Sequence, residues 1–433
     1  MNPESLLKPG DRVMVFAPHP DDEIIGCAGI IQKAVKLGIP LRVVFFTYGD
    51  NNEWSFFLYR NHPVVMPKAA RAMGLVRHDE AYAAAEEIGN PGENLVFLGY
   101  PDFRTLHIWR SHWGDSPPCR SMLTEAKKIP YANALRPGTP HRAEEIMRDL
   151  KTVLREFRPT KVFVSHAGDH NPDHVALYLF LQVALWDLEN EMKVQSYPYL
   201  VHRKKWPVPR GYHPEELLKP PELFEQKIRW QTNVLSDEEI KQKKKATEKH
   251  KSQYDYSSEY LLSFVRKCEL FGDFSIITLE SGSSSEPLSL NRKEFIAKTP
   301  GELTDEEKAL FVGLEEHSVR LEGGKMLIDL KLSRPFGKEV GASSFIFGYR
   351  QDRPFEEMPK LHVKFGALEH RTYDQRRKLP HDATRVIRRA KNITINVPLE
   401  LLGDPQRVLM STRTYLGDVP LDYVPWRVVK GVT

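Results

Sequence analysis

Histidine and aspartate side chains follow the first apolar segment of the chain. His19, Asp21 and Asp22 come directly after residues 12–17, a run rich in β-branched residues. One imidazole and two adjacent carboxylates form a concentrated set of metal ligands and bases. One aspartate can bind a metal while its neighbour faces the water that the metal activates. In a simpler interpretation, Asp21 or Asp22 only caps the helix that follows.

A second cluster follows a later apolar run and precedes another helix. It holds three histidines and two aspartates, namely His166, Asp169, His170, Asp173 and His174. Packing alone does not explain such a composition. Two histidines and one carboxylate with an open fourth position are the ligand set of catalytic zinc. The nearest thiol, Cys27, is expected to pack as a small core residue.

Alternating strand and helix patterns must position both clusters. Residues 12–17 and 41–47 read as buried strands around a helix that Gly38 ends. The alternation continues with helices and strands at residues 79–88, 94–98, 142–157, 161–166 and 175–188. This pattern predicts an α/β fold, a Rossmann-like, doubly wound and mainly parallel sheet. Ligands bind at the carboxyl ends of such strands, so both clusters can face one site.

The remaining segments suggest a division into domains. We predict an α/β catalytic domain over residues 1–280, a linker over 281–299 that begins serine-rich, and a β-rich domain over 300–433. Short alternating strands at residues 325–330, 344–349, 361–365 and 393–397 favour a β-sandwich-like domain, faintly similar to carbohydrate-binding domains. Its aromatic residues could stack on sugars, although such alternation more often marks a core. Residues 104–141 read as an insertion near the active face.

Composition limits the classes of partner. The 433 residues carry a formal net charge of only +4, which does not favour nucleic acid. The basic run at residues 241–251 reads as a solvated helix face. Three widely spaced cysteines fit a reducing compartment. Without an apolar run of roughly 18 residues we expect no integral membrane segment, and we expect a cytoplasmic protein. The oligomeric state stays open.

Two motifs together are recognisable. Residues 17–23, APHPDDE, joined with residues 171–174, NPDH, resemble the PIG-L/LmbE-like family of zinc-dependent de-N-acetylases. Further similar stretches occur in order at residues 47–50, 77–81, 97–102 and 250–253. The resemblance covers roughly residues 10 to 275.

The resemblance implies a metal site and a base. It implies that Zn²⁺ is held by His19, Asp22 and His174, and that Asp21 is the general base. Iron or cobalt could also occupy such a site, because softness and geometry do not fully discriminate them.

The resemblance also assigns residues to the substrate. Arg77 and Asp102 fall where the family holds substrate hydroxyls or nearby polar groups, although Arg77 could instead be a helix-surface cation. The family more often has histidine where this chain has Asn171. An asparagine can donate a hydrogen bond but cannot carry a proton. We predict catalytic roles for Asn171 and His170. His170 or His166 is close enough in sequence to substitute for the family's histidine, although each could be structural.

These observations predict zinc-dependent hydrolysis of an N-acyl amide. We expect de-N-acetylation of an N-acetylglucosamine-type amino sugar or its conjugate, as a small molecule or a glycan. The alternatives are an amidase acting on a larger amide conjugate and a catalytically impaired carbohydrate-binding protein. A nucleotide-binding dehydrogenase is excluded, because no GxGxxG follows the first strand.

Overall fold

The computed structural model describes residues 6–51, 66–280, 284–285, 304–417 and 419–431. The chain divides into two compact units between Asp273 and Phe274. This division precedes the predicted boundary at residue 280. The predicted linker, residues 281–299, lies outside the described residues except for Ser284 and Ser285.

A five-stranded parallel sheet forms the centre of the first unit. Its strands are β1 (Val13–Ala17), β2 (Leu41–Thr47), β3 (Leu95–Tyr100), β4 (Lys161–Ser165) and β5 (Gln195–Tyr199), in the order β3-β2-β1-β4-β5. Strands β1 and β4 are buried at every position. Such strands read as continuous apolar runs because helices cover both faces of a parallel sheet. The predicted α/β fold is confirmed.

Helices connect and cover these strands. They are α1 (Asp22–Lys36), α2 (Pro67–Glu87), α3 (Thr105–Ser111), α4 (Ala143–Phe157), α5 (Pro172–Asp187), α6 (Glu222–Glu225), α7 (Asp237–Lys249) and α8 (Lys251–Leu262). An antiparallel pair, β6 (Gln231–Val234) and β7 (Cys268–Phe271), completes the unit. Among the described residues, no helix has the length and apolar content to cross a bilayer.

Helix α2 begins earlier than predicted. It starts at Pro67, a residue favoured in the first helical turn, rather than near residue 79. Arg77 therefore lies in the middle of the helix and not at its start. The apolar residues of the first half do not recur at clear helical spacing, although Ala70 and Met73 are fully buried. The weak apolar periodicity explains why the sequence alone does not show the start of the helix.

The sheet order creates a crevice where both polar clusters emerge. From β1 the chain builds outward through β2 and β3, and β4 then returns to the other side of β1. Adjacent loops diverge at such a switch point, and ligands bind there beyond the carboxyl ends of the strands. His19 follows β1 and His174 follows β4. The topology thus brings together two motifs that are about 150 residues apart in the chain.

The second unit is mostly antiparallel β structure, as predicted. It comprises β8 (Ile277–Thr278), α9 (Asp305–Ala309), β9 (Leu314–Glu322), β10 (Lys325–Leu332), β11 (Val340–Tyr349), β12 (Lys360–Phe365), β13 (His370–Asp374), β14 (Arg377–Lys378), β15 (Arg385–Arg389), β16 (Asn392–Pro398), β17 (Arg407–Leu416) and β18 (Val419–Lys430). The strands form two sheets, β15-β16-β10-β9 and β14-β13-β12-β11-β17-β18-β8. Phe345, Phe347, Tyr349 and Trp426 are buried, which supports the core interpretation of these aromatic residues.

Candidate metal site and catalytic cavity

Three of the predicted ligands converge at the switch point. Oδ2 of Asp22 lies 3.2 Å from Nδ1 of His19 and 3.1 Å from Nε2 of His174. All three side chains are buried, and the group also includes His202. One ligand atom from each of the four residues lies within 4.8 Å of the others. The structure therefore places imidazole and carboxylate donors around one point.

Further carboxylates lie beside the ring nitrogens of His19 and His174 that point away from Asp22. Nε2 of His19 lies 3.1 Å from Oδ1 of Asp102 and 3.3 Å from Oδ2 of Asp173. Nδ1 of His174 lies 3.2 Å from Oδ2 of Asp169. In metal sites, a carboxylate that accepts from one ring nitrogen fixes the tautomer and directs the other nitrogen to the metal. His19 has this arrangement, and the contact with Asp169 places a carboxylate beside the corresponding nitrogen of His174.

The electrostatics of the group also fit a bound cation. Burial lowers the pKa of His174, but Asp169 and Asp22 outweigh burial and raise that pKa to about 9. Nε2 of His174 is buried, and it makes no well-directed hydrogen bond to any described residue. A strongly anionic, buried pocket with an inward-facing imidazole nitrogen is suited to a divalent metal.

Asp21 occupies a different position from the metal-ligand group. Its backbone φ of 133° is in a region that favours glycine, and such strain concentrates at functional sites. Although Asp21 precedes α1, its side chain makes no capping hydrogen bond. Its carboxylate lines the cavity beside the metal-ligand group. Burial raises its pKa to about 6, against the opposing effect of Arg77. These features argue against a simple helix cap.

Arg77 holds Asp21 in place. Nη2 of Arg77 lies 3.2 Å from Oδ1 of Asp21 and donates to the Pro20 carbonyl at 2.6 Å, while Nη1 donates to the Gly49 carbonyl at 3.0 Å. Gly49 has a φ of 65°, and a Cβ there would lie 2.0 Å from Arg77 Nη1. Arg77 is 3% exposed, so it is not a helix-surface cation. It also lines the cavity, as does Asp102.

The histidines near Asn171 have other neighbours. Nε2 of His170 lies 2.9 Å from Nη1 of Arg203, and burial together with that guanidinium lowers the pKa of His170 to about 3. Nδ1 of His166 accepts from the Gly168 backbone at 2.8 Å. Neither ring is among the residues that line the cavity, whereas Asn171 is. The catalytic assignment of His170 stays a prediction.

Asn171 has a local structural role. It is the N-cap of α5, and its Oδ1 accepts from the Asp173 backbone at 2.8 Å. Asparagine is among the best N-cap residues, because its side-chain oxygen satisfies an otherwise unpaired helical N–H. A histidine at this position has no side-chain carbonyl oxygen that could accept from the Asp173 N–H in the same way.

The cavity also contains residues that sequence reasoning missed. Its volume is about 420 Å³, and the additional lining residues include Phe103, Met122, His202, Tyr256 and Tyr260. His202 follows β5, which the sequence analysis did not identify as a strand. Gln253 also lines the cavity, and it belongs to the recognised motif at residues 250–253. That motif was the one sequence signal for the cavity wall that Gln253, Tyr256 and Tyr260 form.

A hydrogen-bonded pair anchors the wall that carries Gln253. The carboxylate of Glu80 in α2 accepts from the Ser252 backbone at 2.7 Å and from its hydroxyl at 2.6 Å. The matched stretches at residues 77–81 and 250–253 therefore meet in space. The two hydrogen bonds between Glu80 and Ser252 hold the start of α8 beside the cavity.

Comparison with known proteins finds a matching family model and several similar proteins. Residues 14–185 match the family model described as PIG-L, GlcNAc-PI de-N-acetylase. The 1D-myo-inositol 2-acetamido-2-deoxy-alpha-D-glucopyranoside deacetylase 1 of Saccharopolyspora erythraea is 26% identical over 186 residues, 42% of this chain and 56% of that protein. The corresponding deacetylase of Mycobacterium sp. (strain KMS) is 25% identical over 203 residues, 46% of this chain and 53% of that protein. The chain thus spans about half the length of the curated relatives it matches.

A solved structure shows a limited likeness. The N,N'-diacetylchitobiose deacetylase from Pyrococcus horikoshii aligns with a TM-score of 0.35 and 18% identity, over 58% of this chain and 75% of that one.

Proposed function

We propose that this chain, whose residues 14–185 are a PIG-L domain, is a metal-dependent hydrolase that removes an acyl group from an amino-sugar nitrogen. The carrying observation is the convergence of His19, Asp22 and His174 with the separate carboxylate of Asp21 at the switch-point cavity. The curated relatives are deacetylases of an acetamido sugar attached to inositol. Their activity supports an N-acyl amide of an amino sugar as the bond that this chain hydrolyses.

His19, Asp22 and His174 would hold the metal, which we propose is Zn²⁺. When bound, zinc supplies Lewis acidity, which makes water a stronger nucleophile at neutral pH and polarises an amide carbonyl. Asp102 and Asp173 behind His19, and Asp169 behind His174, would keep the rings in their coordinating orientation.

Asp21 would act as the general base. Its side chain lines the cavity, and Arg77 holds one oxygen at 3.2 Å. The proton that Asp21 accepts from water must then reach the leaving nitrogen, because an amide anion is a poor leaving group. The three hydrogen bonds of Arg77 support a role in positioning this base more directly than a contact with substrate.

The shape of the cavity supports a sugar-sized ligand. Tyr256, Tyr260 and Phe103 provide aromatic surface, while Asn51 and Gln253 provide polar groups. Aromatic rings pack against the apolar faces of a sugar, and amide groups bind its hydroxyls. We propose an N-acetylglucosamine-type unit, free or within a conjugate, as the group that enters.

The test is a hydrolysis screen with two readouts. Purified full-length protein, loaded with Zn²⁺, is incubated with N-acetylated amino sugars, with their glycosides and with analogues that carry larger N-acyl groups, and free acetate and free amine are measured separately. Equal release of both supports deacetylation. Free amine without acetate, from substrates with larger acyl groups, favours the amidase alternative. The absence of hydrolysis from the whole panel, together with measurable sugar binding, would support the impaired binding protein.

A further inference from the structure

A second group of metal-binding side chains lies in the insertion between β3 and α4. His107 is in α3, His112 directly follows this helix, and Cys119 lies in the following loop. Ligand atoms of the three residues lie within 4.8 Å of one another. None of them lines the catalytic cavity. We propose that His107, His112 and Cys119 bind a zinc ion, distinct from the metal of the catalytic site.

The chemistry of the donors indicates the class of metal. Two imidazoles and a thiol are borderline to soft donors, which suit zinc and other late transition metals. The group contains no carboxylate, so it does not suit Mg²⁺ or Ca²⁺, which take oxygen ligands. His112 and Cys119 are buried at 4% and 1% exposure, while His107 is half-buried. The half-buried ring leaves a route by which an ion can enter.

Local hydrogen bonds orient the His112 imidazole for binding. Nδ1 of His112 lies 2.7 Å from the carbonyl oxygen of Pro117 and donates to it. In a neutral ring this tautomer places the lone pair on Nε2. A ring nitrogen that donates to a backbone carbonyl while the other nitrogen binds the ion is the usual arrangement of a metal-ligating histidine.

Backbone contacts hold the ligands at their positions before an ion arrives. The His112 N–H donates to Ile108, and the His112 carbonyl accepts from Ala143 at 3.0 Å. The Cys119 N–H donates to the His141 carbonyl at 2.9 Å, and Nδ1 of His141 lies 3.1 Å from the Cys119 carbonyl. Such prior ordering reduces the entropy that binding would otherwise cost.

A zinc ion there would join the end of α3 to the following loop. Helix α3 begins at Thr105, whose backbone N–H donates to Asp173 at 3.1 Å, and Phe103 just before it lines the cavity. The ion would therefore stabilise the inserted segment that supports one wall of the cavity. Three protein ligands leave one of zinc's usual four positions for water. This inference does not depend on the proposed hydrolytic activity.

Cobalt substitution of the full-length chain gives a specific test. A thiolate bound to Co²⁺ produces a charge-transfer absorption in the near ultraviolet, and the His19, Asp22 and His174 set has no thiol. We expect this band in the cobalt-loaded protein, and we expect Cys119→Ser to abolish it. Cys27→Ala and Cys268→Ala are matched controls that keep the band. An absent band in the wild-type protein, or one that persists in Cys119→Ser, would overturn the proposal.

Zinc titration of a second variant guards against misfolding of the cysteine mutant. His107→Ala changes a half-buried side chain, and circular dichroism verifies that it folds. To empty the first site, the titration uses a His19→Ala, His174→Ala background with and without His107→Ala. We expect zinc affinity to fall by more than about 100-fold, because even an outer-sphere partner contributes roughly 10–100-fold. Unchanged affinity in a folded His107→Ala protein would contradict the assignment.

Discussion

At the residue scale, the separation of Asp21 from the metal-ligand group has a kinetic consequence. An asparagine at this position would preserve size and remove the basic oxygen, so we expect Asp21→Asn to keep its metal and to lower kcat by about 10²–10⁴. Metal analysis and steady-state kinetics on the same preparation measure both effects. The matched control is Asp22→Asn, in which metal content falls together with activity. A near-normal kcat in Asp21→Asn would show that another group takes the proton.

Besides the proposed metal ligand His19, His202 is the imidazole that lines the cavity in the described part of the chain, and it lies on a different loop from His170. Burial, together with the neighbouring His174, lowers the pKa of His202 to about 4, so the ring is neutral at pH 7. We expect His202→Ala to lower kcat/KM by about 10²–10³, comparable to the loss of one donor to the developing oxyanion.

The control variant for this prediction is His170→Ala. Because the His170 ring faces Arg203 at 2.9 Å, we expect its loss to reduce kcat/KM by less than about tenfold, well below an oxyanion donor's contribution. If instead His170→Ala carries the large loss and His202→Ala is near normal, the sequence-based assignment of His170 is correct.

At the element scale, the asparagine that departs from the family pattern caps α5. We expect Asn171→His to destabilise the protein by about 0.5–2 kcal/mol, since it removes the side-chain oxygen that accepts from Asp173. Thermal unfolding should show a Tm lower by about 2–4 °C per kcal/mol in a unit of this size. Asn171→Asp keeps an accepting oxygen beside the positive end of the helix, so its Tm should be unchanged or higher. Equal Tm values for the two variants would show that the cap contributes nothing measurable.

Strand β9 contains a histidine that makes stability depend on pH. His317 is 2% exposed, and burial together with Arg427 lowers its pKa to about 4. The unfolded chain gains a proton below about pH 6.5, whereas the folded chain does not until about pH 4. The folded state should therefore lose stability as pH falls through this range, by up to on the order of 3 kcal/mol.

His317→Leu removes that titration. Denaturant unfolding between pH 7 and pH 4 should give a shallower loss of stability in the variant than in the wild-type protein. Identical pH slopes in the two proteins would show that folding does not lower the pKa of His317. The matched control is His381→Leu. Because His381 is exposed, this variant should keep the wild-type slope.

At the scale of the whole molecule, the two compact units give an expectation for separate folding. The first unit ends at Asp273, and β8 at Ile277–Thr278 pairs with β18 in the second unit. We expect a fragment of residues 1–273 to be soluble and to retain its metal. A cut at the predicted domain end, residue 280, would remove β8 from its sheet. The two fragments are compared by circular dichroism and metal content, and an insoluble 1–273 fragment would contradict separate folding.

Sequence patterns alone were enough to predict the β1–α1–β2 unit, the buried strand β4 and the β-rich C-terminal region. Apolar runs and alternations are local signals, because burial acts on each strand or helix separately. They failed where the local signal is weak, as at the start of α2 near Pro67 and at β5, whose first two residues are exposed. The convergence of His19 and His174 followed from a topological rule and not from their spacing in the chain.

The identity of the chemical groups was determined by the sequence, but their neighbours were decided by the tertiary structure. The motifs pointed to His19, Asp21, Asp22 and His174 because these residues sit at the ends of predictable strands. Only the tertiary structure shows that His170 contacts Arg203 and that His202 lines the cavity. It also shows that His107 and His112 lie beside Cys119. The physical reason is that a side chain's direction depends on rotamers and on packing against distant segments, which no local pattern encodes.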